Sequence, residues 1–320
     1  MHIPYQYVLE HPEEEITLDI KFFSLEESKK KIILSEISKY LYNKYGLIVS
    51  SKQLQSRGRY NTVSREVLEK VKEAEEYVDN FLSVVDIIDN VRNPTGIYKY
   101  VRDFALKIGT YYNKQGVPLS PEEVSNITLG IGEDYKKKAY YKKHKERHYV
   151  IILTDHYGLL ETERLDGVPL SQHQTIGRYS NKYCLDFRDK FGFTPVGVQQ
   201  QVSDKENIEL NFKGDTVQQK LEPSLDGLAN NKETQRDANI ILGLFSPARY
   251  RIANHEGYNI NFFDNNYRSL SLLKDRDGIA DKKVPLFFNG AIDFFKELPR
   301  PEDSEGMERV TKYITQLRTN

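Results

Sequence analysis

Residues 149–160 read YVIILTDHYGLL. Four consecutive apolar residues, Val150 to Leu153, predict a strand buried on both faces, and Asp155 emerges where that strand ends. A carboxylate at the carboxyl end of a buried strand stands where open α/β sheets hold their ligands. Upstream, ITLDIKFFSLEES (16–28) alternates Ile16, Leu18, Ile20 and Phe22 as a strand does. Ser24 and Glu27 are then spaced as a capping box for a helix over 25–45 that closes near Gly46. Val67, Leu68, Val71, Ala74, Val78 and Phe81 predict a second helix over 64–82, and SVVDIID (83–89) a short buried strand. NPTG (93–96) reads as a turn with Thr95 as N-cap for a helix over 97–109, and 113–134 reads as loop. Downstream come a helix over 171–190, the strand TPVGVQQQ (194–201) and a polar stretch over 202–236. ANIILGLFS (238–246), SLSLLKDR (269–276) and VPLFFN (284–289) read as three more strands, the last two facing each other across DGIADKK. Strands alternate with helices early and hairpins close the chain. That order predicts an α/β fold with a mostly parallel sheet and antiparallel C-terminal edge strands.

The 320 residues allow one large domain or two modest ones. Hydrophobic residues at 38% and charged residues at 29% fit a globular protein with a charge-rich surface. A net charge of −1 supplies no global attraction to nucleic acid, so any such contact must come from local basic patches. The single cysteine, Cys184, excludes an internal disulfide and a cysteine-rich zinc site, and points to a reducing cytoplasm. The opening MHIPYQYVLEHPEEE lacks the pattern of a signal peptide, and no apolar run is long enough to span a membrane.

Four places carry candidate chemistry. Glu26 stands at the end of the first strand, where a carboxylate can polarise an attacking water; it also fits a plain surface acid at a helix start. Asp155 suits the outer shell of a magnesium–nucleotide complex, holding the ion through water, or a turn aspartate after a core strand. Gln199, Gln200 and Gln201 follow an apolar strand, where one amide can sense a phosphate. Lys274 and Arg276, two apart on a strand, project to one face, toward a phosphate or simply toward solvent at a hairpin tip.

Taken in order, S-L-E at 24–26, the apolar run ending in Asp155, P-V-x-x-x-x-Q at 195–201, Q-R-D-A-N at 235–239 and K-x-R-x-G at 274–278 resemble the motor domain of DnaB-type replicative helicases. The resemblance spans roughly 16–298. It implies a RecA-like three-layer core, ATP and Mg²⁺ as cofactors, a homo-oligomeric ring and single-stranded DNA as partner. It implies Glu26 as catalytic base, Asp155 as the Walker B acid, Gln201 as sensor, and Lys274 and Arg276 as cations acting on a neighbour's nucleotide. It assigns Lys205, Lys213, Lys220, Lys232 and Arg236 to DNA-facing loops. Residues 1–300 then form the motor domain, with a helical insertion at about 46–83, and 301–320 a C-terminal tail.

The chain departs from that pattern at one decisive point. None of its 19 glycines is followed by lysine, so the phosphate loop G-x-x-x-x-G-K-[ST] is absent. The reading is therefore an N-terminally truncated motor, of phage or split-gene type, inactive alone. A competing reading keeps the fold in a non-catalytic DNA-binding or regulatory subunit, and a third is a recombination- or clock-type ATPase. Two motifs stand outside the resemblance. Residues 135–149 (YKKKAYYKKHKERHY) interleave basic residues with tyrosines, which suits single-stranded nucleic acid or a solvated approach to the next strand. His144 and His148 have the i, i+4 spacing of a helical metal pair, with no third ligand apparent.

Overall fold

The computed structural model describes residues 10–55, 65–129, 139–200, 221–225, 232–280 and 282–319. The chain forms two compact units, Met1–Ile32 with Glu76–Gln200, and Ile33–Glu75 with Gln201–Asn320. It passes from one to the other inside two helices, α1 (Lys29–Tyr45) and α3 (Arg65–Leu82), between which lies the short α2 (Ser51–Gln55).

The first unit holds strands β1 (Thr17–Ser24), β2 (Val85–Ile88), β3 (Gly109–Asn113), β4 (Ala139–Lys143) and β5 (His148–Asp155). It also holds the two-residue β6 (Arg164–Leu165) and β7 (Val168–Pro169), and β8 (Thr194–Gly197). Four of these form one sheet in the order β2-β1-β5-β8, and every pairing in it is parallel. The chain lays down β1, places β2 on one side of it, then crosses to place β5 on the other. The order therefore reverses between β1 and β5, which makes their carboxyl ends the switch-point crevice of the sheet.

One face of this sheet offers Phe23, Ile88, Val150 and Ile152 to the helix α4 (Pro94–Ile108) and to the helical run α6 (Gln172–Arg178), a π-helical turn (Tyr179–Cys184) and α7 (Leu185–Asp189). That core is aromatic: Tyr98 stacks on Tyr183 at 4.8 Å and on Phe187 at 5.7 Å. The buried Lys21 on the central strand is matched by Asp19 and Asp86, each at 2.9 Å, and lies over the Phe104 ring. Burial of that charge is tolerable only because it is paired this completely.

The second unit is built on an antiparallel sheet, β14-β13-β12-β9, from β9 (Ile240–Phe245), β12 (Tyr267–Asp275), β13 (Lys282–Asn289) and β14 (Phe294–Glu297). The small hairpin β10 (Asn254–His255) and β11 (Tyr258–Asn259) precedes α9 (Ile260–Phe263). The helices α8 (Lys232–Asp237) and α10 (Ser304–Thr319) flank these strands in sequence. Tyr258, Phe263, Tyr267 and Phe287 form its core with Ile314 of α10, so the stretch read as a tail is a packed helix. The three strands expected at 238–289 are present and pair as read; β14 is an addition to them.

Several local expectations are corrected. Ser24 does not cap α1, which starts at Lys29; its hydroxyl accepts from Glu27 N at 3.2 Å and donates to Glu27 O at 2.6 Å, closing the turn. Asp89 caps instead, accepting from Lys29 N at 2.9 Å. Gly46 ends α1 as read, with φ of 64°, a left-handed value that glycine adopts without strain. The cap of α4 is Asn93, not Thr95, because Pro94 takes the first helical position and Asn93 Oδ1 accepts from Gly96 N. Within 113–134, read as loop, Ser120 and Glu123 form a capping box for α5 (Pro121–Leu129).

Candidate functional site

The carboxyl edge of the parallel sheet brings two of the sequence candidates together. Ser24 and Asp155 are register partners across β1 and β5, and Leu25 N donates to Asp155 O at 2.7 Å. Asp155 and the turn bearing Glu26 therefore leave the sheet side by side at the switch point. Asp155 is half-buried. Its carboxyl pKa is raised, first by burial and then by the charges of Glu26 and Glu27, against a lowering by His156. The Glu26 side chain is 64% exposed, and its Oε2 lies 4.0 Å from Nε2 of His156. His156 follows a cis peptide and is itself buried; its Nδ1 has no hydrogen-bond partner among the described residues. Three carboxylates and an unsatisfied imidazole at one crevice are poor for stability. They hold negative charge where a cation or a polarised water would relieve it.

The floor beneath them is rigid. Thr154 Oγ1 and the Tyr179 hydroxyl share a hydrogen bond of 2.8 Å, and the Tyr157 hydroxyl meets Cys184 Sγ at 3.6 Å. Burial drives the phenol pKa values of Tyr157 and Tyr179 well above the ordinary range, so both act as fixed neutral groups. Beyond the strand ends, Val198 N donates to Thr154 O at 3.0 Å and Tyr157 N to Val198 O at 2.9 Å. Gly197 admits that approach: a Cβ there would collide with the Tyr157 ring. The zipper fixes where the chain leaves β8, and Gln199 and Gln200 follow at once, half-buried and exposed in the order exposed then half-buried along the chain being Gln200 and Gln199 reversed only by the strand's own alternation.

The other candidates lie elsewhere. Gln201, Lys205, Lys213 and Lys220 fall outside the described residues. Lys232 opens α8, and its side chain is likewise not described; Arg236, exposed on the same helix, pairs with Asp237 at 3.3 Å. Lys274 and Arg276 belong to the second unit, and both turn to the end of α8. Lys274 Nζ donates to Gln235 O at 2.7 Å and to Arg236 O at 3.3 Å, and Arg276 donates to Arg236 O at 3.3 Å. These carbonyls end a helix, so the cations sit at its negative pole. His144 and His148 are not on a helix: His144 bonds Thr110 at 3.0 Å and His148 bonds Asp19 at 2.7 Å. Another acid–histidine group, Glu222, His255 and Glu256, has metal-ligand spacing. Lys283 already bonds Glu222 and Glu256 at 2.7 and 2.8 Å, supplying the positive charge a metal would bring.

Sequence reasoning does not single out His156 or Tyr179. His156 is visible only as the neighbour of Asp155, and strand alternation sends it to the opposite face. Tyr179 meets Thr154 through the π-helical turn, and an inserted residue of that kind leaves no periodic signal.

No protein-family model and no curated protein matches the chain. Solved structures do. A helicase ATPase domain superposes with a TM-score of 0.60 at 17% identity, covering 88% of this chain and 75% of that one. The fold is RecA-like. A DnaB-like replicative helicase, described with its interactions with primase, gives a TM-score of 0.58 at 17% identity over 87% of this chain; the match spans 51% of that longer protein. No helix among the described residues of this RecA-like chain is long and apolar enough to cross a membrane.

The side chains present fit one half of a magnesium–nucleotide site. Hard carboxylate oxygens suit Mg²⁺, and the raised proton affinity of Asp155 marks an excess of negative charge that a dication would offset. The other half, a glycine-rich turn with its lysine to grip phosphate, is not encoded in the sequence given.

Proposed function

We propose that this chain is the hydrolytic half of an ATP-driven, DnaB-type motor acting on single-stranded DNA, with ATP gripped by a phosphate loop that these residues do not supply. The observation that carries the reading is the pairing of Glu26 with Asp155 at the switch point of a RecA-like sheet. Magnesium, when bound, would neutralise charge developing on the phosphates. Glu26, solvent-facing beside His156, orients a water and accepts its proton. Asp155, fixed by the β1–β5 register, holds the ion through water, and the glutamines after β8 stand where they can report phosphate to the 202–236 segment. Lys274 and Arg276 act across a subunit interface of a homo-oligomeric ring. Their helix-end carbonyls park them until phosphate competes. Cytoplasmic residence follows from the same reading.

The test uses the chain alone and the chain supplied with a strand–G-x-x-x-x-G-K-[ST]–helix segment. Three missing charge-assisted hydrogen bonds to phosphate amount to roughly a thousandfold in affinity or more, so the chain alone should bind Mg-ATP at least that much more weakly by calorimetry. The supplied chain should hydrolyse ATP with stimulation by single-stranded DNA, and Glu26→Gln should abolish that rate while leaving nucleotide affinity intact. Hydrolysis that survives Glu26→Gln would remove Glu26 as base. Tight nucleotide binding by the supplied chain with no hydrolysis would favour the regulatory-subunit reading.

A further inference from the structure

The hairpin of β3 and β4 takes no part in the crest of the parallel sheet, and its period of two gives it two unlike faces. Tyr111 and Tyr141 point inward and pack on Phe191 with centroids at 5.9 and 5.4 Å. The Tyr141 hydroxyl donates to Ala105 O at 2.8 Å, and Gly109 runs so close beneath that ring that a Cβ would collide with it. The ladder is thus anchored to the aromatic core on one side. The opposite side carries Thr110, Tyr112, Tyr140 and Lys142. Tyr112 and Tyr140 stack across the strands at 5.5 Å and 22° between planes, and Tyr140 remains 50% exposed. Lys142 is exposed beside it, with Lys114 and His144 exposed at the two ends.

A cross-strand tyrosine pair by itself does no more than steady a hairpin. Here it is joined by a local charge that the whole protein lacks. Across the described residues 139–149, Lys142, Lys143, Lys145 and Arg147 stand against the single acid Glu146, in a chain of net charge −1. Neither strand of the ladder contains an acid. We propose that this face binds single-stranded nucleic acid, with a base stacked on the Tyr140 ring and phosphates met by Lys142 and its basic neighbours. The inference stands on the hairpin's own chemistry and does not depend on the nucleotide site.

Fluorescence polarisation of the full chain with labelled oligo-dT and oligo-rU of about 20 nucleotides, between roughly 50 and 200 mM salt, tests it. Tyr140→Phe should bind as the wild type does. Tyr140→Leu, which keeps an apolar side chain on the ladder but removes the ring, should weaken binding about tenfold. Lys142→Gln should lower the salt slope by about one. Tighter binding to either polymer identifies the preferred sugar and supports the proposal. Absence of binding by the wild type overturns it. So does wild-type affinity and salt slope in both Tyr140→Leu and Lys142→Gln with melting temperatures unchanged. If Tyr140→Leu fails to fold, the Lys142→Gln slope decides between the same two outcomes.

Discussion

Two carboxylates, one in each unit, show how differently this chain treats charge. Glu73 on α3 accepts from Lys44, Tyr40 and Tyr45, and these bonds, the lysine's first, hold its carboxyl down at about 2. Asp155 is pushed the other way, by burial and by two neighbouring acids. In the second unit this pattern of satisfaction recurs. Lys283 bridges Glu222 and Glu256, His255 is bonded to both Tyr267 and Glu222, and Lys274 and Arg276 rest on helix-end carbonyls. At the crest of the first unit it fails repeatedly, at Asp155 and at His156 Nδ1. Frustration confined to one crevice of an otherwise satisfied fold is what a site awaiting a ligand requires.

The largest expected effect tests the floor that holds the frustrated groups in place. Tyr179 is fully buried, packs edge-on against Tyr157 at 5.3 Å and bonds Thr154, the residue before Asp155. Tyr179→Ala should cost about 3–5 kcal/mol in urea unfolding, as aromatic truncations in cores do. Tyr179→Phe keeps the packing and strands the Thr154 hydroxyl, for about 1–3 kcal/mol. Equal costs for the two variants would mean that the hydroxyl, and not the ring, fixes the crest.

An intermediate effect separates the two parked cations. Lys274 is half-buried and donates to two carbonyls, whereas Arg276 is exposed and reaches one. Lys274→Ala should therefore destabilise by about 1 kcal/mol, and Arg276→Ala by no more than about 0.5 kcal/mol. In a chain supplied with a phosphate loop, Arg276→Ala should nonetheless abolish DNA-stimulated hydrolysis. Mixing it with Glu26→Gln should restore part of the rate, since some interfaces then pair an intact Glu26 with an intact Arg276. Mixed rings with no recovery would count against action across an interface.

Much of this comparison is legible in the sequence, for identifiable reasons. Strands β1 and β5 show because long apolar runs end abruptly in polar residues, and Glu26 and Asp155 are where they end. Their adjacency is set by parallel pairing across more than a hundred residues, which no local pattern encodes. The capping box at Ser120–Glu123 is written in the sequence, but the polar segment around it reads as loop. Pro94 likewise points to Asn93 as the cap. By contrast, α10 resembles a tail because its charges outnumber the four apolar residues, Met307, Val310, Ile314 and Leu317, that pack it. The satisfaction of Lys274 and Arg276 depends on α8, some forty residues earlier in the chain. From their own strand they look free.

The smallest expected effect is the most diagnostic, because the two carboxylates should respond to pH with opposite sign. Asp155 has a folded pKa above its unfolded value near 3.8. Its contribution to stability is therefore complete below that value and is lost as pH rises through the folded pKa. At neutral pH the ionised group is a cost, so Asp155→Asn should stabilise the chain, by on the order of 0.5 kcal/mol once screening at the half-exposed crest is allowed for. The gain should disappear toward pH 3.8, where the wild-type carboxyl takes up its proton. Glu73 has a folded pKa of about 2 against 4.5 unfolded. Its contribution is present above 4.5 and is lost as pH falls toward 2, so Glu73→Gln should destabilise at neutral pH and converge on the wild type only in strong acid. Urea midpoints across the acid range read both variants in one series. If Asp155→Asn destabilises at neutral pH, the crest carboxylate is a satisfied structural group like Glu73, and the case for a cation or polarised water at that crevice falls with it.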